Sequence, residues 1–493
     1  WGSWQFRVAE RDDAARELRF WYGGYQAGNW ATGGPWFVEN VLEELTAPGE
    51  WFFDEGTRQL YIHPNGSDLS TGLEAVRLDT LLTITGTDKQ PVEHLNFRGL
   101  HFEHTSTTFL RPYFMPSGGD YRVYRGGAGI LDGVESIVFD QTTWSDLGGN
   151  GLFISGYARQ CNVTRNEFVR LGDSAVLSSG RESSTSDADG SFTSTPSGNL
   201  FANNHIHRLG MYGKQSAGFF QSLSCGNHYF NNVVYDGPRH GFSWNDHFGG
   251  ESVIRGNVVF NQMKESRVGG PWNDWDRSAY NQRARCAIDG DVTMWPGFNT
   301  IAKNFFLNGY AGHAAIDHDD GGWRFVDEDN LCVYGTVENH DGTDKLYRRN
   351  LVIFPGISNH SQYGKPCFED TPDAEQTDLP ANNTMADSTC YVSTDFAMLA
   401  NLCNFTASLP RTISVRGVNN TFFTPTGTFK MRCGCAATPG SPKTCVGSNP
   451  TVGSTNLSLG DLQKYGVDKH SRVHPLGVDL LTDILRAARA LVA

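Results

Sequence analysis

The sequence predicts an all-β protein whose central part is a solenoid of short parallel strands, a parallel β-helix. The first observation is composition: charged residues make up 19% of the chain, aromatic residues 12%, and 56 of 493 residues are glycine. Such a mixture is typical of β-rich proteins with many tight turns. The second is a repeat of apolar strands and asparagines between residues 91 and 355. The third is that no helix-forming segment separates these strands, which excludes α/β repeats.

Each repeat consists of a short alternating strand, an asparagine and a second short strand. The pattern is clearest at residues 161–169, 199–207, 227–235, 253–260 and 300–307. The step from Asn204 to Asn232 is 28 residues and the step from Asn232 to Asn257 is 25, and a period of this size predicts stacked coils. Stacked amides hydrogen-bond between coils, and asparagine tolerates a left-handed backbone. We therefore expect structural roles for Asn166, Asn204, Asn232, Asn257 and Asn304.

The solenoid divides the chain into three predicted regions. Residues 1–90 are expected to form a β-rich segment that leads into the coils, and residues 91–355 the parallel β-helix. Residues 356–493 form a Cys-rich region with many glycosylation sequons and a helix at its end.

The terminal helix is predicted from Leu476 to Val492, with Pro475 as its start signal. Apolar residues recur at helical spacing: Val478, Leu481, Leu485, Ala488 and Leu491 or Val492. We expect the helix to cover an exposed edge or hydrophobic surface. Its polar face is not strongly basic, which argues against membrane binding.

Charge and hydropathy exclude two classes of partner. The formal net charge is −14, whereas nucleic-acid binding requires clustered lysine and arginine. No apolar run approaches the roughly 18 residues that span a bilayer. A neutral glycan or a cation is the expected partner.

Cysteines and sequons indicate a secreted, extracellular glycoprotein. Six of the ten cysteines lie between residues 367 and 445, which favours disulfides in an oxidising compartment. Zinc is the competing interpretation, but Cys433 and Cys435 lack the usual two-residue spacer. The chain opens at Trp1 without a signal peptide, so we expect either a removed leader or a fragment. N-glycosylation is expected at sequons that begin at Asn65, Asn162, Asn359, Asn382, Asn404, Asn419 and Asn456.

A cluster of acidic residues from Asp317 to Asp320 is the main candidate site. Like charges this close shift each other's pKa, so such a cluster typically binds a cation or sugar hydroxyls or performs acid/base chemistry. On a strand, Asp317 and Asp319 share one face, while His318 and Asp320 point the other way or enter the turn. Asp320, Gly321 and Gly322 equally favour a turn.

We assign catalysis to a carboxyl pair from this cluster. Asp317 acts with Asp319 or Asp320 as acid and nucleophile or base, and Asp274 and Asp276 are further catalytic candidates. Pairing of both with Arg277 is the structural alternative, as burial is for Trp272 and hydrogen bonding for His318. The residues expected to bind substrate are Asp246, His247, Glu265, Trp272, Trp275, Arg277, His318 and Trp323, the tryptophans by stacking on sugar rings.

Several segments resemble those of known carbohydrate-active proteins. They are Trp36 to Leu45, Pro48 to Asp54, Leu60 to Pro64, Gly270 to Arg277 and Ile316 to Gly321. With the repeats, the chain resembles right-handed parallel β-helix proteins of the pectate-lyase-like superfamily. More narrowly, it resembles β-helix glycoside hydrolases of the xylosidase and fucosidase/xylanase families. The resemblance covers most of residues 30–355 and implies a right-handed coil and a glycan substrate.

The superfamily contains hydrolases, lyases, epimerases and proteins without known catalysis, so fold alone does not decide the function. A glycoside hydrolase with paired carboxylates and no required cofactor is the preferred hypothesis. A calcium-dependent polysaccharide lyase is an alternative, since Asp317, Asp319 and Asp320 supply oxygen ligands. The other alternative is a non-catalytic structural glycoprotein that assembles into extracellular filaments.

Overall fold

The chain folds as a right-handed parallel β-helix. The computed structural model describes residues 5–24, 36–66, 73, 75–113, 122–180, 195–245, 250–266, 269–275, 297–308, 312, 314–319, 321–340, 342–356, 366–370, 382–400, 405–406, 409–410, 415–434, 454–464 and 468–492. Within these ranges, three long sheets run along the solenoid, and successive strands visit sheets 1, 2 and 3 in turn.

Sheet 1 contains 15 described strands, which pair in parallel except for its last two strands in chain order, which are antiparallel. They are β5 (Leu82–Thr85), β6 (Val92–Glu93), β9 (Gly129–Glu135), β12 (Leu152–Arg159), β15 (Val176–Ser179), β16 (Pro196–Ser197), β19 (Ala217–Ser222), β22 (His240–Asn245), β25 (Trp272–Trp275), β28 (Ala314–His318), β31 (Thr336–Asn339), β34 (Phe368–Asp370), β37 (Phe396–Ala400), β42 (Lys430–Gly434) and β43 (Ser454–Leu457).

Sheet 2 contains 12 described parallel strands. They are β7 (Asn96–Arg98), β10 (Val138–Asp140), β13 (Asn162–Thr164), β17 (Leu200–Ala202), β20 (His228–Phe230), β23 (Val253–Arg255), β26 (Asn299–Ala302), β29 (Phe325–Glu328), β32 (Leu346–Arg348), β35 (Asn383–Ala386), β40 (Val415–Val418) and β44 (Asp468–Lys469).

Sheet 3 also contains 12 described parallel strands. They are β8 (His101–Glu103), β11 (Thr143–Leu147), β14 (Glu167–Leu171), β18 (His205–His207), β21 (Val233–Tyr235), β24 (Val258–Phe260), β27 (Phe305–Leu307), β30 (Leu331–Val333), β33 (Leu351–Ile353), β36 (Thr389–Tyr391), β41 (Thr421–Thr424) and β45 (Arg472–Pro475).

Three antiparallel hairpins and three helical segments complete the described structure. The hairpins pair β1 (Phe6–Asp12) with β2 (Glu17–Gly23), β3 (Trp51–Asp54) with β4 (Gln59–Ile62), and β38 (Phe405–Thr406) with β39 (Leu409–Pro410). The helices are a 3-10 turn (Leu42–Glu44), α1 (Leu459–Lys464) and α2 (Leu480–Val492). Parallel pairing continues beyond residue 355 to β45, while the three-region division stays a prediction. Among the described residues, no helix is long and apolar enough to cross a membrane.

Alternation along each strand fills the interior with large apolar side chains. Phe219 stacks on Phe242 at 5.1 Å, and Phe201 stacks on Tyr229 at 4.8 Å between ring centroids. All four side chains are at most 1% exposed. Burial of one such side chain stabilises a fold by roughly 1.5–3 kcal/mol, so the repeated stack holds successive coils together.

The predicted asparagine ladder lies at the turn between sheets 2 and 3. Asn204 Nδ2 donates to Asn232 Oδ1 at 3.0 Å, and Asn232 Nδ2 donates to Asn257 Oδ1 at 2.9 Å. The same bond joins Asn166 to Asn204, Asn257 to Asn304, and then Asn304, Asn330 and Asn350. The structural role of the ladder is confirmed.

The left-handed backbone at this turn belongs to the residue before each ladder asparagine. Arg165, Asn203, Asn231 and Lys303 have φ between 54° and 58°, and Gly256 has φ of 69°. The asparagines therefore hydrogen-bond between coils without adopting the strained conformation themselves. This corrects the expectation that asparagine occupies the position for its tolerance of positive φ.

Helix α2 packs on the outer face of sheet 3, as predicted, but through a different stripe. Leu480, Ile484, Ala487, Ala488 and Leu491 contact an apolar cluster around Leu351, Ile353 and Tyr391. By contrast, Val478 is fully exposed, and Leu481 and Leu485 are 69% and 45% exposed. The stripe therefore begins at Leu480, and only Ala488 and Leu491 of the predicted set face the sheet.

The cysteines are partly paired. Cys367 and Cys390 form a disulfide whose Cα atoms lie 6.1 Å apart, and Cys225 is also disulfide-bonded. Cys161 and Cys332 are free thiols in the buried core. Burial raises the pKa of Cys161 to about 11, which keeps that thiol protonated.

Candidate functional site

The acidic cluster divides between the interior and the outer face of sheet 1. Ile316 and His318 are fully buried and face inwards, because they are in register with Trp272 and Asp274 of β25 and with Val337 and Asn339 of β31. Alternation then directs Asp317 to the outer face. The predicted separation of His318 from Asp317 is therefore confirmed.

Three carboxylates follow one another along this outer face. Asp317 is in register with Glu338 of β31, and Glu338 with Glu369 of β34. Asp317 is 2% exposed, whereas Glu338 and Glu369 are partly exposed. Neighbouring strands lie about 4.8 Å apart, so the row places one carboxyl group on each of three consecutive coils.

A buried amide holds Asp317. Asn273, the in-register residue of β25, donates from Nδ2 to Asp317 Oδ2 at 3.0 Å. The sheet thus presents Asp317 as an oriented carboxylate beside the more accessible Glu338.

Asp319 lies just beyond the strand, at a turn. Its backbone carbonyl accepts a hydrogen bond from Gly322 N at 3.2 Å, and Gly321 has φ of 81°. Its Oδ1 lies 3.4 Å from His340 Nδ1. The expected turn at the glycines is present, and Asp319 lies at its start. Asp320 lies outside the described residues.

His318 bridges two aspartates inside the coil. Its Nδ1 lies 2.6 Å from Asp274 Oδ1, and its Nε2 lies 2.8 Å from Asp327 Oδ2. All three side chains are fully buried, and Trp272 Nε1 donates to the same Asp274 oxygen at 2.7 Å. The interior therefore carries an Asp–His–Asp network beneath the outer carboxylates.

Charge pairing governs ionisation in this network. Burial alone would lower the pKa of His318, but the negative charges of Asp274 and Asp327 outweigh it and raise that pKa to about 9. The pKa of Asp327 is raised overall, because the effect of burial exceeds the opposing effects of His318 and of the buried Lys345. At neutral pH His318 is a cation held between two acidic groups.

This placement corrects the sequence-based expectation for three residues. His318, expected to bind substrate, is fully buried between two aspartates, and hydrogen bonding was its stated alternative. Asp274 faces the interior, so it does not lie beside Asp317 in a cleft. Trp272 is also fully buried in the core, where no sugar ring reaches it. For Trp272, burial was the stated alternative to stacking on substrate.

Other expected residues lie in different surroundings. Trp275, 4% exposed, belongs to an apolar cluster with Phe153, Leu177 and Phe220. Glu265 pairs with Lys214 at 2.9 Å. Trp323 is partly buried. Asp246, His247, Asp276 and Arg277 lie outside the described residues.

The sequon asparagines differ in accessibility. Asn65, Asn382 and Asn419 are exposed, and Asn162 is partly buried in β13. Asn359, Asn404 and the side chain of Asn456 lie outside the described part of the chain. Glycosylation stays a prediction.

Two groups of residues escaped the sequence reasoning. Glu338 lies in Thr336-Val337-Glu338-Asn339, whose alternation matches Ile316-Asp317-His318 in the preceding coil of sheet 1. Aligning coils would have found it. The second group comprises Glu167, His205 and His207, whose ligand atoms all lie within 4.8 Å of one another. The alternation His205-Ile206-His207 was the available signal.

No protein-family model matches the chain, and no curated protein matches its sequence. Three solved structures match it. One is described as a glycoside hydrolase, with TM-score 0.45, 14% identity and coverage of 64% of this chain and 55% of that chain. Another is XylC in complex with xylose, with TM-score 0.38, 10% identity and coverage of 78% and 62%.

The third is DFA-IIIase from Arthrobacter chlorophenolicus A6 in complex with GF2, with TM-score 0.32, 11% identity and coverage of 69% and 78%. The chain spans less than two thirds of the length of the first two proteins. All three TM-scores lie below 0.5.

Proposed function

We propose that this protein is a secreted glycoside hydrolase that binds a glycan on the outer face of sheet 1 and cleaves it with Asp317 and Glu338. The observation that carries the proposal is their in-register position on adjacent strands. The strand spacing of about 4.8 Å resembles the carboxyl separation of about 5 to 5.5 Å in retaining glycosidases. We therefore propose hydrolysis with retention of configuration.

The two carboxyl groups take different roles. Asp317, oriented by Asn273, attacks the anomeric carbon and forms a glycosyl ester as the glycosidic bond breaks. Glu338 donates its proton to the departing oxygen. It then accepts a proton from the water that cleaves the ester, which restores both groups.

Two further observations support the wider proposal. The Cys367–Cys390 disulfide fits an oxidising compartment. Three sequon asparagines are exposed, as glycosylation requires. Glycosylation is tested by expressing the chain with a secretory leader and identifying glycopeptides by mass spectrometry.

The activity test uses xylan, fucosylated and galactosylated glycans, together with nitrophenyl glycosides of the same sugars. Asp317→Ala should abolish turnover of every substrate. Glu338→Ala should lose natural glycans but still form the ester from nitrophenyl substrates, because nitrophenolate needs no proton to depart. Azide should restore turnover in both variants. With Asp317→Ala it attacks the anomeric carbon directly, so the glycosyl azide has the opposite anomeric configuration. With Glu338→Ala it attacks the glycosyl ester, so the glycosyl azide has the retained configuration.

Other outcomes would support the alternatives. Full turnover by Asp317→Ala and Glu338→Ala would contradict the assigned pair. Unsaturated products absorbing in the ultraviolet, together with inactivation by a chelator, would indicate the lyase. Ordered filaments without turnover of any glycan would indicate the structural protein.

A further inference from the structure

We propose that Glu167, His205 and His207 form a binding site for a zinc-like divalent transition-metal ion on the outer face of sheet 3. Glu167 opens β14, and His205 and His207 lie two residues apart on β18 of the next coil. Glu167 is in register with His205. The site uses none of the residues proposed for glycan hydrolysis, so the two proposals stand independently.

The two separations between the carboxylate and the imidazoles are close to those of a metal site, and all three ligand atoms lie within 4.8 Å of one another. Glu167 Oε1 lies 3.2 Å from His207 Nε2 and 3.7 Å from His205 Nδ1. In a tetrahedral zinc site with bonds of about 2.0–2.2 Å, ligand atoms lie about 3.3–3.6 Å apart. Small side-chain rotations therefore suffice to bring all three atoms to an ion.

Neighbouring aromatic rings restrict the imidazole of His207. The His207 ring stacks on Tyr235 at 4.9 Å with an interplanar angle of 4°, and Tyr235 stacks in turn on Phe260 at 4.8 Å. The His207 side chain is 11% exposed, whereas those of Glu167 and His205 are 45% and 47% exposed. One ligand is thus held rigidly while solvent reaches the other two.

The donor atoms select the class of ion. Two imidazole nitrogens and one carboxylate favour zinc, nickel or copper over calcium or magnesium, which prefer oxygen ligands. Three protein ligands leave a fourth position for water. Since the ligands come from two coils, the ion would also fasten β14 to β18.

The same residues also fit a plain hydrogen bond, with His207 donating to Glu167, and the experiment separates the two interpretations. The metal-free protein is titrated with zinc sulfate by calorimetry. We expect one zinc per chain from this site with micromolar or tighter affinity, and a higher Tm for the zinc-loaded protein. His207→Gln and Glu167→Gln should each weaken binding by at least about tenfold.

His228→Gln is the matched control. His228 is exposed and opens β20 of sheet 2, as His205 opens β18 of sheet 3, but it belongs to no such cluster among the described residues. This variant should bind zinc like the unmodified chain. Copper in the same site should show hyperfine coupling to two nitrogens by electron paramagnetic resonance, and to fewer in His207→Gln.

Two results would overturn the proposal. The first result is that the unmodified chain shows neither zinc binding nor a Tm shift. The second result is that zinc affinity and copper spectra do not change in His207→Gln and Glu167→Gln, with folding of both variants checked by circular dichroism. This result would locate the ion elsewhere.

Discussion

Asp317 and His318 are neighbours in the chain, yet they belong to opposite environments. Asp317 lies on the outer face in a row with Glu338 and Glu369. His318 lies inside the coil, fully buried between Asp274 and Asp327. Strand alternation produces the difference, and it teaches that one acidic motif can combine a candidate reaction site with a structural ion network. Variants should therefore separate activity from stability.

The largest expected effect concerns the outer face. Asp317→Asn removes the proposed nucleophile while keeping the size of the side chain, so kcat/KM should fall at least about a thousandfold. Tm should change little, because an amide can also bond to Asn273. The measurement is steady-state hydrolysis of the preferred nitrophenyl glycoside. Glu103→Gln, an exposed carboxylate on sheet 3, is the control, and equal losses in both variants would contradict the assignment.

The inner network should respond in stability. His318→Gln leaves Asp274 and Asp327 without their bridging cation, and loss of one partner of a buried ion pair costs about 3–5 kcal/mol. Urea unfolding measures this loss. The triple variant Asp274→Asn/His318→Gln/Asp327→Asn, which removes both unpaired acidic groups, should recover part of it, since the buried Lys345 then lacks the nearby charge of Asp327. A loss below about 1 kcal/mol in His318→Gln would show that the bridge contributes little.

The same network predicts a pH dependence. The folded pKa of His318 is about 9, above the unfolded value of about 6.5, so its contribution is complete below pH 6.5 and is lost as pH rises through 9. The free energy of unfolding should therefore fall as pH rises from about 6.5. Above about pH 7.5 the buried thiols of Cys161 and Cys332, whose pKa values burial raises, add to this fall, because an unfolded thiol ionises near pH 8.5.

His318→Gln should lose the part of this slope that His318 contributes. The raised pKa values of Asp173, about 7, and Asp468, about 6, place their main effects at lower pH. An identical slope in the variant, measured by urea unfolding at each pH, would contradict the assignment to His318.

The smallest expected effect concerns Glu369, the last carboxylate of the outer row. It lies two coils from Asp317, so it is too far to act as the partner in a retaining pair. Glu369→Gln should change kcat/KM by no more than about tenfold, through altered substrate binding. A loss as large as that of Asp317→Asn would shift the catalytic pair to Glu338 and Glu369.

The repeats made the fold predictable, whereas the site was only partly so. Periodic asparagines identified the coils, and alternation separated Asp317 from His318. The sequence could not assign Asp274 to the interior. Alternate residues of a strand face inwards, but which set does so depends on where each coil begins. Glu338 was missed because a single glutamate in a short strand gains meaning only from its neighbour in the next coil. The left-handed positions were missed because arginine, asparagine, lysine and glycine all occupy them.

The asparagine ladder also bears on how such a chain can change length. Asn204 accepts a side-chain hydrogen bond from Asn166 in the preceding coil, and Asn232 accepts the same bond from Asn204. Each coil therefore presents equivalent hydrogen-bonding groups to the coils on either side. Insertion of a duplicated segment from Asn204 to Asn231, 28 residues long, leaves every ladder amide with a partner. The protein's natural unit of insertion and deletion is therefore the whole turn of the solenoid.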